Sequence, residues 1–226
     1  MEQSAHFLGM NLDADQLKSL LFNAIEPMEL SKVNLGVSWS GESGYTPPDS
    51  GIIQVFFRQE KVNYAPGNPS LNAGISHSVV LPSGLPYTFL KSTSALPYTM
   101  AARERKQSGA DELIILNDKA RVAECISSNI FLLKKNECLT PPISDGCVAG
   151  TFRQMVLDKG RINGWRIHEK SLVLTDLMNG DGLILTNALK GAVAVSSLSS
   201  QGIPTRKSSE IAAAWNALAG FSRADQ

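Results

Sequence analysis

Four places in the sequence carry residue types that could do chemistry. Lys91 follows the apolar run Thr88-Phe89-Leu90 and stands just ahead of an expected helix. An amine in such a setting loses its proton more readily than one in water, which makes it a nucleophile or a base. Glu124 sits among Val122, Ala123, Cys125 and Ile126 in a strand-like stretch, where alternation turns it to the side of Val122 and Ile126. A carboxylate there needs a partner. Ser127-Ser128-Asn129 follows directly, and Gly150 opens an expected helix at Thr151-Phe152. The first amides of that helix lack intrahelical partners and lie at its positive end, a seat for an anion. Each feature also has a plainer reading: a lysine snorkelling at a helix start, a solvated acid on an edge strand, an ordinary helix begun by glycine.

The elements that must position these residues can be read from spacing. Leu17, Leu20, Leu21, Ala24 and Ile25 recur at helical intervals over 13–25, with Asp13 placed to cap and Pro27 to stop the helix. Strand-like stretches at 33–39 and 51–58 flank a loop rich in Gly, Pro and Ser, which suggests an antiparallel pair. A second polar stretch, 63–86, reads as a linker. Its end, LPSGLP, sets an expected boundary between a small domain, 1–84, and a larger one, 85–226. The larger part starts with a helix over 94–107. Strands at 112–116, 121–125, 129–134 and 137–140 follow, separated by tight turns, and together they predict an antiparallel meander. A helix over 150–159, strands near 165–168, 182–186 and 192–196, and a last helix over 209–221 complete an α+β pattern without βαβ regularity.

Composition narrows the function classes. The chain has 226 residues, 43% of them apolar, with Lys+Arg and Asp+Glu balanced at 21 each. Zero formal charge provides no long-range field to draw in a polyanion, so neither a nucleic acid nor a membrane surface is an expected partner. Cys125, Cys138 and Cys147 are too few and wrongly spaced for a disulfide framework or a zinc site, and no metal is expected. Neither a signal peptide nor a membrane span is expected, and a cytoplasmic location follows by default. No GxSxG, Walker loop, HExxH, EF-hand or post-strand GxGxxG occurs, and His6, His77 and His168 are far apart.

The stretch 122–157, VAECISSNIFLLKKNECLTPPISDGCVAGTFRQMVL, resembles the signature region of the class IV, fold-type IV pyridoxal-phosphate enzymes: E-x-x-x-x-N-(I/L)-F, then T-P, then G-x-x-R. FLKS at 89–92 resembles the segment presenting their cofactor-bearing lysine, and LTNALKGAVAV at 185–195 resembles their second phosphate-contacting turn. The resemblance runs over nearly the whole chain. It implies an α+β fold with a small, shortened α/β domain and a larger, β-barrel-like domain with flanking helices. It also implies pyridoxal 5'-phosphate as cofactor, a small-molecule amino substrate and a homodimer. Lys91 would carry the cofactor and act as base, Glu124 would hold the pyridine nitrogen, and Asn129 would line the site. The amides of Thr151 and Phe152 would take the phosphate, with Asn187 and Ala188 as the opposite wall, and Arg153 would be structural.

Departures from the family pattern qualify these expectations. The opening MEQSAHFLG resembles the segment that follows a phosphate-gripping arginine, so the given chain is expected to lack that arginine and part of the small domain's sheet. Where branched-chain aminotransferases have an Asn-Tyr pair whose tyrosine bonds the cofactor's phenolic oxygen, this chain has Ser94-Ala95, and Tyr98 is no obvious substitute. Within the family, the loop SGESGYTPPDSGII (with Ser43 where an arginine is common), ECISSN and NALKG resemble the 4-amino-4-deoxychorismate lyase branch. The resemblance therefore implies release of 4-aminobenzoate and pyruvate for folate synthesis. A class IV aminotransferase acting on branched-chain or D-amino acids is the first alternative, and a non-catalytic interaction protein the second.

Overall fold

The computed structural model describes residues 2–26, 31–40, 52–61 and 70–221. The chain forms two compact units, Met1–Tyr64 and Ala65–Gln226. In the first, helix α1 (Glu2–Phe7) and helix α2 (Ala14–Ala24) precede strands β1 (Ser31–Ser40) and β2 (Ile52–Lys61). Asp13 caps α2 as its position suggested: the carboxylate accepts from the Asp15 and Gln16 amides at 2.9 and 3.0 Å. β1 and β2 pair antiparallel along their whole length, Ser31 opposite Lys61 and Ser40 opposite Ile52, as expected. The end of α2 is tied to β2, because the Gln59 side-chain amide bonds both the N–H and the carbonyl of Glu26. Pro27 and most of the 40–53 loop, Ser43 included, lie outside the described residues.

The second unit contains strand β3 (Leu71–Leu81), helix α3 (Leu96–Ser108), and strands β4 (Glu112–Asn117), β5 (Val122–Cys125), β6 (Asn129–Lys134) and β7 (Glu137–Thr140). Helix α4 (Thr151–Lys159), strands β8 (Arg161–Ile162) and β9 (Trp165–Glu169), helix α5 (Leu174–Met178), strands β10 (Gly182–Asn187), β11 (Gly191–Leu198) and β12 (Gln201–Gly202), and helix α6 (Arg206–Leu218) follow. The strands form one ten-stranded mixed sheet in the order β5-β4-β3-β11-β10-β6-β7-β9-β8, with β12 beside β11. Ile114, Val122 and Cys125 from one end of that order share a core cluster with Ile130, Leu132 and Leu139 from the middle and the other half. The sheet is therefore curled on itself, as a barrel-like sheet is. On its other face Phe131, Ile184 and Ala192 pack against Phe152 and Val156 of α4 and Ile211 and Trp215 of α6.

Three sequence expectations differ from this architecture. The segment 63–86, read as a linker, contains β3, which pairs parallel with both β4 and β11. Its small and polar residues hide the pattern because the strand is bulged: the register against β4 shifts between Ile75 and Val80. At the irregular turn of chain the Glu104 carboxylate of α3 accepts from the Ser76 and Ser78 hydroxyls and the His77 and Ser78 amides. β3, α3 and β4 consequently make one βαβ unit inside a pattern expected to have none. The expected meander is two separate hairpins instead. β4 pairs with β5 and β6 with β7, but β6 takes β10 as its other neighbour and β5 ends the sheet.

Candidate active site

The turn at 126–128 that separates β5 from β6 is where the site begins. Glu124, on the last strand of the sheet, is 4% exposed. Its carboxylate accepts from the Tyr98 hydroxyl at 2.6 Å, the Val148 amide at 3.1 Å and the Asn129 side-chain amide at 3.3 Å. Burial pushes Glu124 up to about 7, against which these hydrogen bonds and the positive charges of Lys91 and Arg153 work. A carboxylate has about four acceptor positions, so three donors leave room for one more, and a cationic donor would bring the acid back to its ionised form.

Lys91 lies in the exposed segment before α3, and its charge reaches Glu124. The segment is laid along residues 144–150 by two backbone bonds, Gly84 N–H to the Ser144 carbonyl (2.8 Å) and Ala149 N–H to the Phe89 carbonyl (3.0 Å). Gly146 makes this close approach possible: its φ is +98°, and a Cβ there would stand 2.4 Å from the Pro82 carbonyl oxygen. The amine and the acid, thirty-three positions apart in the sequence, are thereby brought into one electrostatic neighbourhood.

Asn129 is the hub of the site. Its amide nitrogen donates to the Val148 carbonyl at 2.9 Å as well as to Glu124. Its Oδ1 lies against Gly150, where a Cβ would come within 2.0 Å. Gly150 is the N-cap of α4 with no side-chain capping bond, so the amides of the first turn, Thr151 and Phe152 among them, are left to other acceptors. In the β6–β10 ladder Asn129 lies opposite Thr186, which places Asn187 one step and Ala188 two steps beyond the same residue. The Asn187 side chain donates to the Ser127 carbonyl (3.1 Å) and the Ser128 hydroxyl (3.3 Å), and accepts from the Leu189 and Lys190 amides. Thr186, buried beside that turn, has a hydroxyl without a hydrogen-bond partner. The base of the turn is fixed from α6, where the Asn216 amide bonds both the N–H and the carbonyl of Ala192.

Arg153 is 1% exposed; it donates to the Pro141 carbonyl at 2.8 Å and pairs with Glu169, which ties α4 to the ends of β7 and β9. Tyr98 is the participant that sequence reasoning passed over, since its partner is the acid and not a cofactor oxygen. The available signal was an aromatic hydroxyl in the first turn of the helix following Lys91. The thiols of Cys125 and Cys147 lie within charge range of Glu124; burial pushes Cys147 up to about 12 and Cys125 well above its usual range, so both stay protonated. Among the described residues no group of three His, Cys, Asp or Glu side chains is placed to hold a metal, and no helix is long and apolar enough to cross a membrane.

The family model described as amino-transferase class IV matches residues 1–198. The chain belongs to that family. It is 29% identical over 114 residues to the D-alanine aminotransferase of Bacillus licheniformis, which is 50% of this chain and 40% of that protein. It is 28% identical over 109 residues to the aminodeoxychorismate lyase of Vibrio harveyi, 48% of this chain and 40% of that one. The aligned stretch thus spans less than half the length of these curated relatives. Among solved structures, the branched-chain aminotransferase of Thermoproteus uzoniensis superposes with a TM-score of 0.82 at 19% identity, covering 97% of this chain and 77% of the other. That likeness establishes the shared fold.

Proposed function

We propose that the chain binds pyridoxal 5'-phosphate and, with it, removes pyruvate from 4-amino-4-deoxychorismate to leave 4-aminobenzoate. The observation that carries the cofactor reading is the Glu124 carboxylate: buried, raised to about 7, left with an open acceptor position, and within reach of the charge on Lys91. An uncompensated buried acid is what a cationic ring nitrogen would satisfy. The uncapped start of α4 and the orphaned Thr186 hydroxyl suit an anionic group at the other end of the same site.

When bound, the cofactor supplies a cationic ring that accepts the electron pair left as a proton leaves the amine-bearing carbon of the substrate. Lys91 would hold the cofactor through its amine. The Lys91 amine would take the proton from the amine-bearing carbon of the substrate. In the substrate's own carbocycle the bond to the enolpyruvyl oxygen would then break, its electron pair leaving with that oxygen; the carbocycle would become aromatic, and Lys91 would return a proton to the methylene carbon of the departing enolpyruvate, giving pyruvate. Glu124 would hold the ring nitrogen protonated, and Asn129 holds Glu124. The amides of Thr151 and Phe152 would take the phosphate, with Asn187 and Ala188 on the opposite side.

The choice of lyase is supported by the two segments that resemble that branch, ECISSN and NALKG, meeting through the bonds from Asn187 to Ser127 and Ser128. Identity to a D-amino acid aminotransferase is nearly the same as to a lyase, which favours transamination as the alternative reading. We further propose a cytoplasmic homodimer, to be checked by sedimentation.

A new visible absorption band on adding pyridoxal phosphate, retained after dialysis, tests the cofactor; its absence would overturn the reading. Appearance of pyruvate with 4-aminobenzoate supports the lyase, whereas keto acid formed only with an amino acceptor would replace it with the aminotransferase. Lys91→Ala should abolish turnover in either case, and unchanged turnover would refute the role of that amine.

A further inference from the structure

The Glu124 carboxylate has an unequal set of donors. The Val148 amide and the Asn129 side chain stand at 3.1 and 3.3 Å, but the Tyr98 hydroxyl is at 2.6 Å, the range of an O–H donating to an ionised oxygen. Tyr98 is held in the first turn of α3, seven residues after Lys91, and its ring packs beside Val79, Leu81, Ala101, Ile115 and Ala123. The phenol is a permanent donor: burial, and then the neighbouring carboxylate, raise it far out of the range in which it could ionise. The segment carrying Lys91 is therefore fastened at both ends, to residue 149 through Phe89 and to Glu124 through Tyr98.

Resting on the cofactor reading above, we propose that Tyr98 is a positioning residue that keeps the Glu124 carboxylate ionised and fixed in orientation for the ring nitrogen. The charged and titratable groups facing that carboxylate are Lys91 from the segment before α3, Tyr98 from α3, Arg153 from α4, Cys125 from β5 and Cys147 from the loop ahead of α4. The two thiols stay neutral, and Glu124 is the group whose state changes near neutrality. A hydrogen bond to the charged form favours that form, so deleting the Tyr98 hydroxyl must make the acid harder to ionise.

The test begins with the cofactor-free chain labelled with 13C at the glutamate carboxyls and the tyrosine Cζ. In the parent, Glu124, raised by burial to about 7, should titrate there, and the Tyr98 Cζ resonance should show an inflection at that same pH. Tyr98→Phe should raise the Glu124 midpoint by roughly one pH unit, and Glu124→Gln should erase the Tyr98 inflection. An unmoved midpoint, or a Tyr98 resonance that ignores the titration of Glu124, overturns the proposal; the second readout needs no variant to fold. With pyridoxal phosphate added, Tyr98→Phe should move the pH dependence of the cofactor's absorption band in the same direction. Should the parent take up no cofactor, the cofactor reading falls, while the cofactor-free midpoints still decide the role of Tyr98.

Discussion

Replacing Gly150 by alanine puts a methyl group where the structure has an amide oxygen. The new Cβ would stand 2.0 Å from Asn129 Oδ1 and 3.2 Å from its Cγ, closer than real Cβ atoms come, so the Asn129 side chain must move by an ångström or more. The backbone itself is not the obstacle, because Gly150 has φ −66° and ψ 137°, open to any residue. The cost comes from what Asn129 holds: its amide nitrogen would leave the Val148 carbonyl and the Glu124 carboxylate, both in a buried site. A neutral bond of this kind contributes about 1 kcal/mol and one to a charged group about 1.5–3 kcal/mol. Gly150→Ala should therefore destabilise the chain by roughly 2.5–4 kcal/mol, lowering the unfolding midpoint by about 5–15 °C. Thermal and urea unfolding of four variants, in a double-mutant cycle with Asn129→Ala, measures it. In the Asn129→Ala background the obstruction and the bonds are both gone, so Gly150→Ala should cost under about 0.5 kcal/mol there. An equal cost in both backgrounds would refute the reasoning.

Two further perturbations follow from the same geometry. In the cofactor-free chain burial raises Glu124 from its ordinary 4.5 to about 7, so between these values the folded state should hold a proton that the unfolded state has released. Stability from this group is present below pH 4.5 and is lost as pH rises toward and through 7, by roughly 3 kcal/mol. Glu124→Gln should flatten that slope in urea unfolding measured from pH 4 to 8; a chain whose stability climbs over that window because of Glu124 contradicts the burial argument. Arg153→Met should cost about 2–3 kcal/mol in the same assay, since the Pro141 carbonyl loses its donor while the half-exposed Glu169 can turn to water; a loss within experimental error would make the buried ion pair dispensable.

The small unit was largely legible because its signals are local. Asp13 caps the turn that follows it, Leu17 is buried on the helix its spacing indicated, although Leu20 on the same expected stripe is exposed, and the β1–β2 pair joins neighbours in sequence. The positions of β4 to β7 were legible for the same reason, as short apolar runs between turn residues. Their partners were not. Whether Asn129–Lys134 pairs with Val122–Cys125 before it or with Gly182–Asn187 more than fifty residues later is decided by which apolar faces fill the core together. β3 escaped for a related reason: its parallel neighbours lie beyond a helix on one side and near the chain's far end on the other, and its bulge is stabilised by Glu104 from that helix.

Residue types alone determined that this chain holds an amine, a strand-borne acid and a glycine-opened helix, and the motif around Glu124, Asn129 and Gly150 pointed to its family. Those properties survive in any order of folding because they reside in side-chain chemistry and local backbone preference. Only the tertiary structure decided that Tyr98 is bonded to Glu124, that Asn129 links the acid to the start of α4, and that Asn187 closes onto Ser127 and Ser128. Such contacts join residues five to sixty positions apart, and their energies exist only once burial has removed water as the competing partner.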